Sequence, residues 1–252
     1  MKEKGQKIIY NLIPVFSVAV LICLWAISSA IVGNGVFASP KQAVIALIEI
    51  FSYSEFYLAL GGTLLRTLIA FAFSFLVALV LAFFSKKSQA FKRAVSPIIS
   101  ITRALPTVAI VLLLLFLTSN NSQVAPVVVT SLIVIPTSYV NILTSLEAVE
   151  SEEIEMCNAF GVDKKLIIKK LYLPKTAPSM LIAVGSGICL NLKLMVAAEV
   201  LAFTANSIGY FLKLCSEYDF AKMLALVLVT VVIGLIIEWV FALLSKKAGE
   251  WR

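Results

Sequence analysis

The chain has 252 residues, 61% of them hydrophobic and 14% charged, a mean hydropathy of +1.02 and a net charge of +7. A soluble domain carries about 25% charged and roughly 45–50% apolar residues, so this composition excludes a soluble core and marks an integral membrane protein. With no histidine there is no His-based triad, His general base or His metal ligand, and Cys23, Cys157, Cys189 and Cys215 lie too far apart for a zinc or redox motif, which leaves them as packing residues.

Apolar stretches then follow in chain order. A bilayer-spanning helix needs about 20 mainly apolar residues. Residues 8–40 carry no charge, giving a first span over 11–33, expected to stay uncleaved because Ile27-Ser28-Ser29-Ala30 is a weak processing site. Residues 39–57 follow, where Ser39 is placed to cap, Pro40 suits a first helical turn, and apolar residues recur at helical spacing; an amphipathic helix on the outer face is expected. A second span covers 58–84, interrupted by Arg66. Residues 104–146 are charge-free but divided by Ser119-Asn120-Asn121-Ser122-Gln123, which reads as two spans, 98–118 and 124–144, joined by a tight turn. The fifth and sixth spans cover 177–204 and 222–244. The expected fold is therefore all-α, with about six transmembrane helices, because in lipid each span must satisfy its own backbone. No internal repeat or low-complexity linker marks a second domain.

The lysines set the orientation. With both termini inside, the inner segments hold 16 of the 21 basic residues, and the outer ones only Lys41, Lys213 and Lys222. That distribution follows the positive-inside rule, so the net charge is a topology signal and not a nucleic-acid footprint. Both termini, and the loop over 145–175, are expected on the cytoplasmic side of the membrane.

That loop reads as a helix over 147–160 rich in glutamate, then Gly161 where a positive φ is commonly needed, then a cap at Asp163. A second helix over 164–173 sets lysines opposite an apolar stripe, and Pro174 and Pro178 are expected to stop it. An interfacial hairpin on anionic lipid would suit the lysines but would repel five glutamates. A protein partner docking under the loop accounts for both signs.

Spacing within the loop adds a resemblance. Glu155-Met156-Cys157, Gly161 and Leu171-Tyr172-Leu173-Pro174 resemble the E-A-A, G, I-x-L-P signature of bacterial ATP-binding-cassette importer permeases, with both alanines and the isoleucine replaced. Thr63-Leu64-Leu65-Arg66, Pro97 with Arg103-Ala104-Leu105-Pro106, and Lys193 with Val196-Ala197-Ala198-Glu199 before Ser207-Ile208-Gly209 resemble the nitrate/sulfonate/taurine-type branch. Leu192 stands where that branch usually has tryptophan, while Glu238 and Trp251 match its C-terminal pattern. The resemblance covers roughly 10–252 and implies one permease domain. It further implies cytoplasmic ATPase subunits docked on 145–175, chiefly at Glu155, Ala159, Gly161, Leu171, Leu173 and Pro174. A substrate-binding protein outside and a second permease copy, expected to form a homodimer, would complete the assembly in the inner membrane. The cargo would be a small anionic or organic solute, moved by alternating access.

No catalytic or metal residue is expected. The chain has no G-x-x-x-x-G-K-[ST] loop and no Gly-Lys pair, so ATP and magnesium would belong to the partner ATPase. Charges within spans mark functional or structural pairs, and Arg66, Lys193 and Glu199 are the candidates for the translocation path or an intramembrane polar network. Arg66 either pairs with Glu199 in the outer half or snorkels to the surface. Lys193 either attracts an anionic solute in the translocation path or is held by Glu199 and carbonyls. Gly185-Ser186-Gly187 suits close helix packing. A secondary transporter or channel is the alternative, but midplane coupling acids and inverted repeats are not evident.

Overall fold

The computed structural model describes residues 2–33, 37–117 and 121–249, with side chains from Ile13 onward except those of residues 14 and 15. Ser119 and Asn120 of the expected turn, and Trp251 and Arg252, lie outside the described residues. Contacts divide the chain into two compact units, Met1–Tyr57 with Phe211–Val229, and Leu58–Tyr210 with Thr230–Arg252.

In the first unit, α1 (Lys2–Val32) carries an apolar stretch, Phe16–Val32. The chain leaving it is tied back by Trp25 Nε1 donating to the Ala38 carbonyl (3.0 Å) and Ser29 Oγ to that of Phe37 (2.7 Å). The α2 helix (Pro40–Ile50) starts as its residues dictate. Ser39 accepts from the Gln42 amide, the Gln42 side chain accepts in return from the Ser39 amide, and Pro40 fills the first turn, where its missing N–H costs nothing. An apolar cavity of about 300 Å³ lies between Ile50, Phe56, Phe211, Cys215 and Leu226, with Lys222 and Glu55 on its lining.

The second unit holds most of α3 (Ser54–Lys87), then α4 (Gln89–Ala104), α5 (Thr107–Leu117), α6 (Ala125–Glu147), α7 (Ser151–Ala159), α8 (Lys164–Ile167) and α9 (Leu173–Ala202). The chain continues through α10 (Ile208–Tyr218) and α11 (Phe220–Gly249). The α6 and α9 helices make the most extensive pairing, and α3 packs on α6 through small residues. Ala78 and Ala82 of α3 pack with Tyr139, Ile142 and Leu143 of α6, and Phe71 with Val134 and Ile188. Side-chain hydrogen bonds join helices where no water competes: Ser74 Oγ to the Ser131 carbonyl (2.9 Å), Tyr139 OH to Ser85 Oγ (2.9 Å), and Asn191 Nδ2 to the Thr67 carbonyl (2.7 Å). Gly185 and Gly187 are packing positions, since an added Cβ would lie 2.5 Å from Phe241 and 2.6 Å from Phe71 respectively.

Among the described residues, four helices are long and apolar enough to cross a bilayer: α3, α6, α11 and the continuous stretch Lys164–Ala202. A fifth counts if α4 and α5 form one broken span, and the first expected span, 11–33, falls in α1, whose described apolar stretch is Phe16–Val32. The third stretch, expected as a straight helix over 98–118, bends by 95° between α4 and α5. Leu105 is extended (ψ 137°) because Pro106 disfavours the helical region for the residue before it. That leaves α5 with 11 residues, about 16 Å of rise, short of a hydrocarbon core of about 30 Å.

The loop over 145–175 departs from expectation twice. First, the helix expected over 147–160 is broken at 148–150. Val149 is fully buried, its carbonyl accepts from Lys86 Nζ (3.0 Å), and Glu150 is extended (ψ 147°) as the N-cap of α7. Second, Pro174 and Pro178 do not stop the helix that begins at Lys164. Residues Ile168–Tyr172 widen into a π-helical turn, and the Leu173 amide reaches back to the Ile168 carbonyl. The shifted register absorbs the donor that Pro174 lacks, so the helix runs on into the membrane.

Candidate functional site

Glu199, fully buried on α9, is the centre of a polar knot. Arg66 Nη1 donates to its Oε1 at 2.8 Å, while Thr63 Oγ1 (2.8 Å) and the Gly209 amide (3.3 Å) donate to Oε2. Thr63 and Arg66 share a face of α3, being three residues apart. The other edge of the Arg66 guanidinium donates to Gln123 Oε1 (2.9 Å) and the Ala205 carbonyl (3.3 Å). The arginine thus turns toward the bundle and does not snorkel; its side chain is 14% exposed.

The backbone is shaped to deliver these donors. Phe203 ends α9 in the left-handed region (φ 51°), and Ser207 Oγ caps the next helix by accepting from the Tyr210 amide (2.9 Å). The N-terminal amides of α10 therefore meet the knot, Ile208 N donating to Thr63 Oγ1 (2.9 Å) and Gly209 N to Glu199. A helix N-terminus stabilises a carboxylate placed against it. Gly209 is required by proximity, because a Cβ there would lie 2.4 Å from Glu199 Cβ and 2.7 Å from the Val196 carbonyl. Thr63, Gln123 and Gly209 were not singled out as site residues from sequence. Only the three-residue spacing of Thr63 and Arg66 could have signalled the first.

Lys193 is not brought to Glu199. It is exposed on α9 and lines a cavity of about 150 Å³ with Cys189, Leu192, Thr230, Gly234 and Glu238. On the same face, about two and four turns toward the start of α9, Ser186 and Ser179 share a groove with Asn141 and Thr144 of α6. This face of α9 therefore carries a polar line, in which Lys193 and Ser186 are exposed among the described residues.

In the loop over 145–175, α7 closes in a Schellman motif. The Val162 amide donates to the Cys157 carbonyl (3.0 Å) and the Gly161 amide to that of Asn158 (3.0 Å), with Gly161 at φ +67°. Asp163 occupies the next N-cap in extended conformation, but its side chain makes no capping bond. Ser151 and Ile154 line a cavity against α3 and α4, with Ile154 half-buried, whereas Glu155, Met156, Ala159 and Phe160 lie outside that lining and are exposed, Phe160 at 80%. Leu171 and Pro174 are half-buried and Leu173 is exposed, so these three do not share the surface of α7.

The α7 helix is braced against α9 by the ion pair of Lys175 with Glu153, and the end of α6 that leads into it is held to α4 by Lys92 on Glu147 (2.6 Å). The Lys175 hydrogen bond, with that of the Glu150 amide, holds the Glu153 carboxyl below its ordinary value of 4.5. A depressed folded-state value stabilises the pair above the unfolded value and is lost as pH falls through the folded one. Lys175→Met should therefore lower the thermal midpoint at neutral pH, and the difference from wild type should shrink to nothing well below pH 4.5. A difference constant across that range would show that Glu153 is not the titrating partner.

The sequence profile of the binding-protein-dependent transport system inner membrane component family matches residues 74–250, which include both the Glu199 side of the knot and the whole loop over 145–175. The chain belongs to that family. It is an importer permease of the ATP-binding-cassette class, a multi-pass membrane subunit and not the ATPase. It is similar to the formylaminopyrimidine transport permease protein ThiX of Halalkalibacterium halodurans, 26% identical over 244 residues that cover 95% of each chain. It is also similar to the putative aliphatic sulfonates transport permease protein SsuC of Bacillus subtilis, 21% identical over 240 residues, 93% of this chain and 85% of that one. Among solved structures, the permease shares its fold with a chain of the inward-facing MetNI methionine transporter (TM-score 0.65, 16% identity, 75% of this chain and 94% of that). A transporter importing the acidic polysaccharide alginate is similar over 97% of this chain and 99% of its own (TM-score 0.64, 14% identity). Family membership sets aside the secondary transporter or channel.

Proposed function

We propose that this permease couples cytoplasmic ATP hydrolysis to solute passage through α7, on which ATP-binding-cassette subunits dock. The observation that carries this reading is the outward face of α7. Glu155, Met156, Ala159 and Phe160 are exposed beside a rigid glycine elbow, and α7 is pinned to α9 through Glu153 and Lys175. Force applied to α7 then passes into a helix that continues across the bilayer without interruption. ATP and magnesium bind the ATPase partner, a binding protein delivers the solute outside, and both termini face the cytoplasm, as the lysine distribution requires. Glu155→Arg should abolish copurification of the ATPase while leaving the thermal midpoint of the permease unchanged. Full retention of the ATPase would mean that α7 is not its dock.

The polar line on α9 supports a second permease copy facing it, with the solute passing between the two. An ammonium left facing lipid at mid-span is costly, whereas facing a watery path it is solvated. Lys193 then attracts an anionic or polar organic solute. Lys193→Ala is expected to reduce uptake at least about tenfold, the loss of roughly one charge-assisted hydrogen bond, with unchanged solute affinity of the binding protein. Uptake at wild-type rate would remove Lys193 from the path.

A further inference from the structure

A cavity of about 820 Å³ in the second unit lies at the cytoplasmic end of the helices and plays no part in the docking surface just described. Its walls are of two kinds. Phe83, Leu146, Ile154, Ile168 and Leu173 are apolar, and Phe83, Ile168 and Leu173 remain 55–60% exposed, so the cavity opens toward the hydrocarbon side. At the other end stand Lys86, Lys87 and Lys92, with Gln89 in the first turn of α4, a helix of 16 residues whose N-terminus adds partial positive charge. The only acid on the lining is Glu147, and it is already paired with Lys92 at 2.6 Å. Lys86 gives a hydrogen bond to the neutral Val149 carbonyl, so its charge is uncompensated. Lys87 is exposed at the rim, with no ion pair among the described residues. Two unbalanced ammonium groups therefore cap an apolar chamber at the point where α3 leaves the apolar region.

From this juxtaposition we propose that the cavity binds one anionic phospholipid, its phosphate between Lys86 and Lys87 and its upper acyl segment along Phe83, Leu146 and Leu173. The volume falls within the roughly 300–1,000 Å³ of ligand sites, and basic pockets between helices on the cytoplasmic side suit acidic head groups. The occupant is not the ATPase. Ser151 and Ile154 line the cavity, whereas Met156 and Phe160 lie about half a helical turn round α7, facing away. A lipid in this place touches the scaffold helices α3 and α4 on one side and α7 on the other.

The test uses the purified full chain in detergent and native mass spectrometry with phosphatidylglycerol, phosphatidylcholine and inorganic phosphate as probes, so it does not depend on ATPase coupling. One phosphatidylglycerol per chain is expected to bind at least about tenfold more tightly than phosphatidylcholine of the same acyl chains, and millimolar phosphate is expected not to displace it. Lys86→Gln with Lys87→Gln should remove that preference; Lys87→Gln alone, which breaks no internal bond, should reduce it severalfold at an unchanged thermal midpoint. Lys169→Gln with Lys170→Gln, exposed lysines outside the cavity, should leave it intact. Equal loss from the outer pair would reduce the effect to diffuse attraction. Displacement by phosphate would make the cavity a soluble-anion site, and absence of head-group preference would refute any phosphate site. Each of these outcomes overturns the proposal.

Discussion

Replacing Glu199 by alanine is expected to destabilise the permease more than any other single change at a charged position. The substitution leaves the Arg66 guanidinium, the Thr63 hydroxyl and the Gly209 amide without their shared acceptor in a site where Glu199 itself has no exposure. Breaking a buried, hydrogen-bonded ion pair from one side costs about 3–5 kcal/mol, because the remaining charge is stranded. Thermal unfolding in detergent should fall by roughly 10 °C for a chain of this size. Glu199→Gln keeps the shape and an acceptor oxygen but not the charge, and should fall between. Removing both charges together, Arg66→Met with Glu199→Met, should recover much of the loss, since the two effects are coupled and not additive. If both single variants melt within about 2 °C of wild type, less than one ordinary hydrogen bond is at stake and the knot is not structural.

Phe160→Asp is expected to do the reverse, sparing the fold and destroying coupling. The ring is 80% exposed and has no role in the core of the chain, so thermal stability should not change. Burying a phenylalanine against a partner is worth about 1.5–3 kcal/mol, and a carboxylate in that place adds a desolvation cost. ATPase affinity should therefore fall about 100-fold or more, with ATP-driven uptake in vesicles lost in parallel. The neighbouring Gly161 gives a graded version of the same test. A Cβ there meets nothing within 4 Å, so only the positive φ of +67° opposes substitution. Coupling should decline in the order Gly161→Asn, Gly161→Ala, Gly161→Val, following tolerance of the left-handed region. Equal activity of the asparagine and valine variants would mean that the elbow reshapes freely and does not transmit force.

The parts legible in the sequence were those fixed by local chemistry or by strong bilayer constraints. Ser39 and Pro40 specify the start of α2 without reference to anything distant, and Gly161 specifies the end of α7. Arg66 and Glu199 could be matched because few partners exist for a charge at that depth. What escaped notice depended on through-space contact. The break at 148–150 is held by Val149 being buried and by Lys86 donating across 63 residues, and the helical residues alone favour an unbroken helix. Pro174 signals a stop because proline removes a donor, yet a π-helical turn supplies an alternative register that no local pattern announces. For Lys193 the sequence offers Glu199 as a neighbour, but the cavity it lines is shared instead with Glu238, from a helix far along the chain.

The ion pair at Glu199 also has a temporal side. Arg66 precedes its carboxylate by 133 residues, so during synthesis α3 enters the bilayer long before α9 exists. For that interval the guanidinium has no counter-ion and must be solvated at the membrane surface, its helix sitting shallower or more tilted than in the finished protein. Only when α9 arrives and the amides of α10 close over the carboxylate can α3 settle to its final depth. The knot therefore closes late in membrane insertion. A chain truncated before Glu199 would leave the Arg66 guanidinium without its carboxylate.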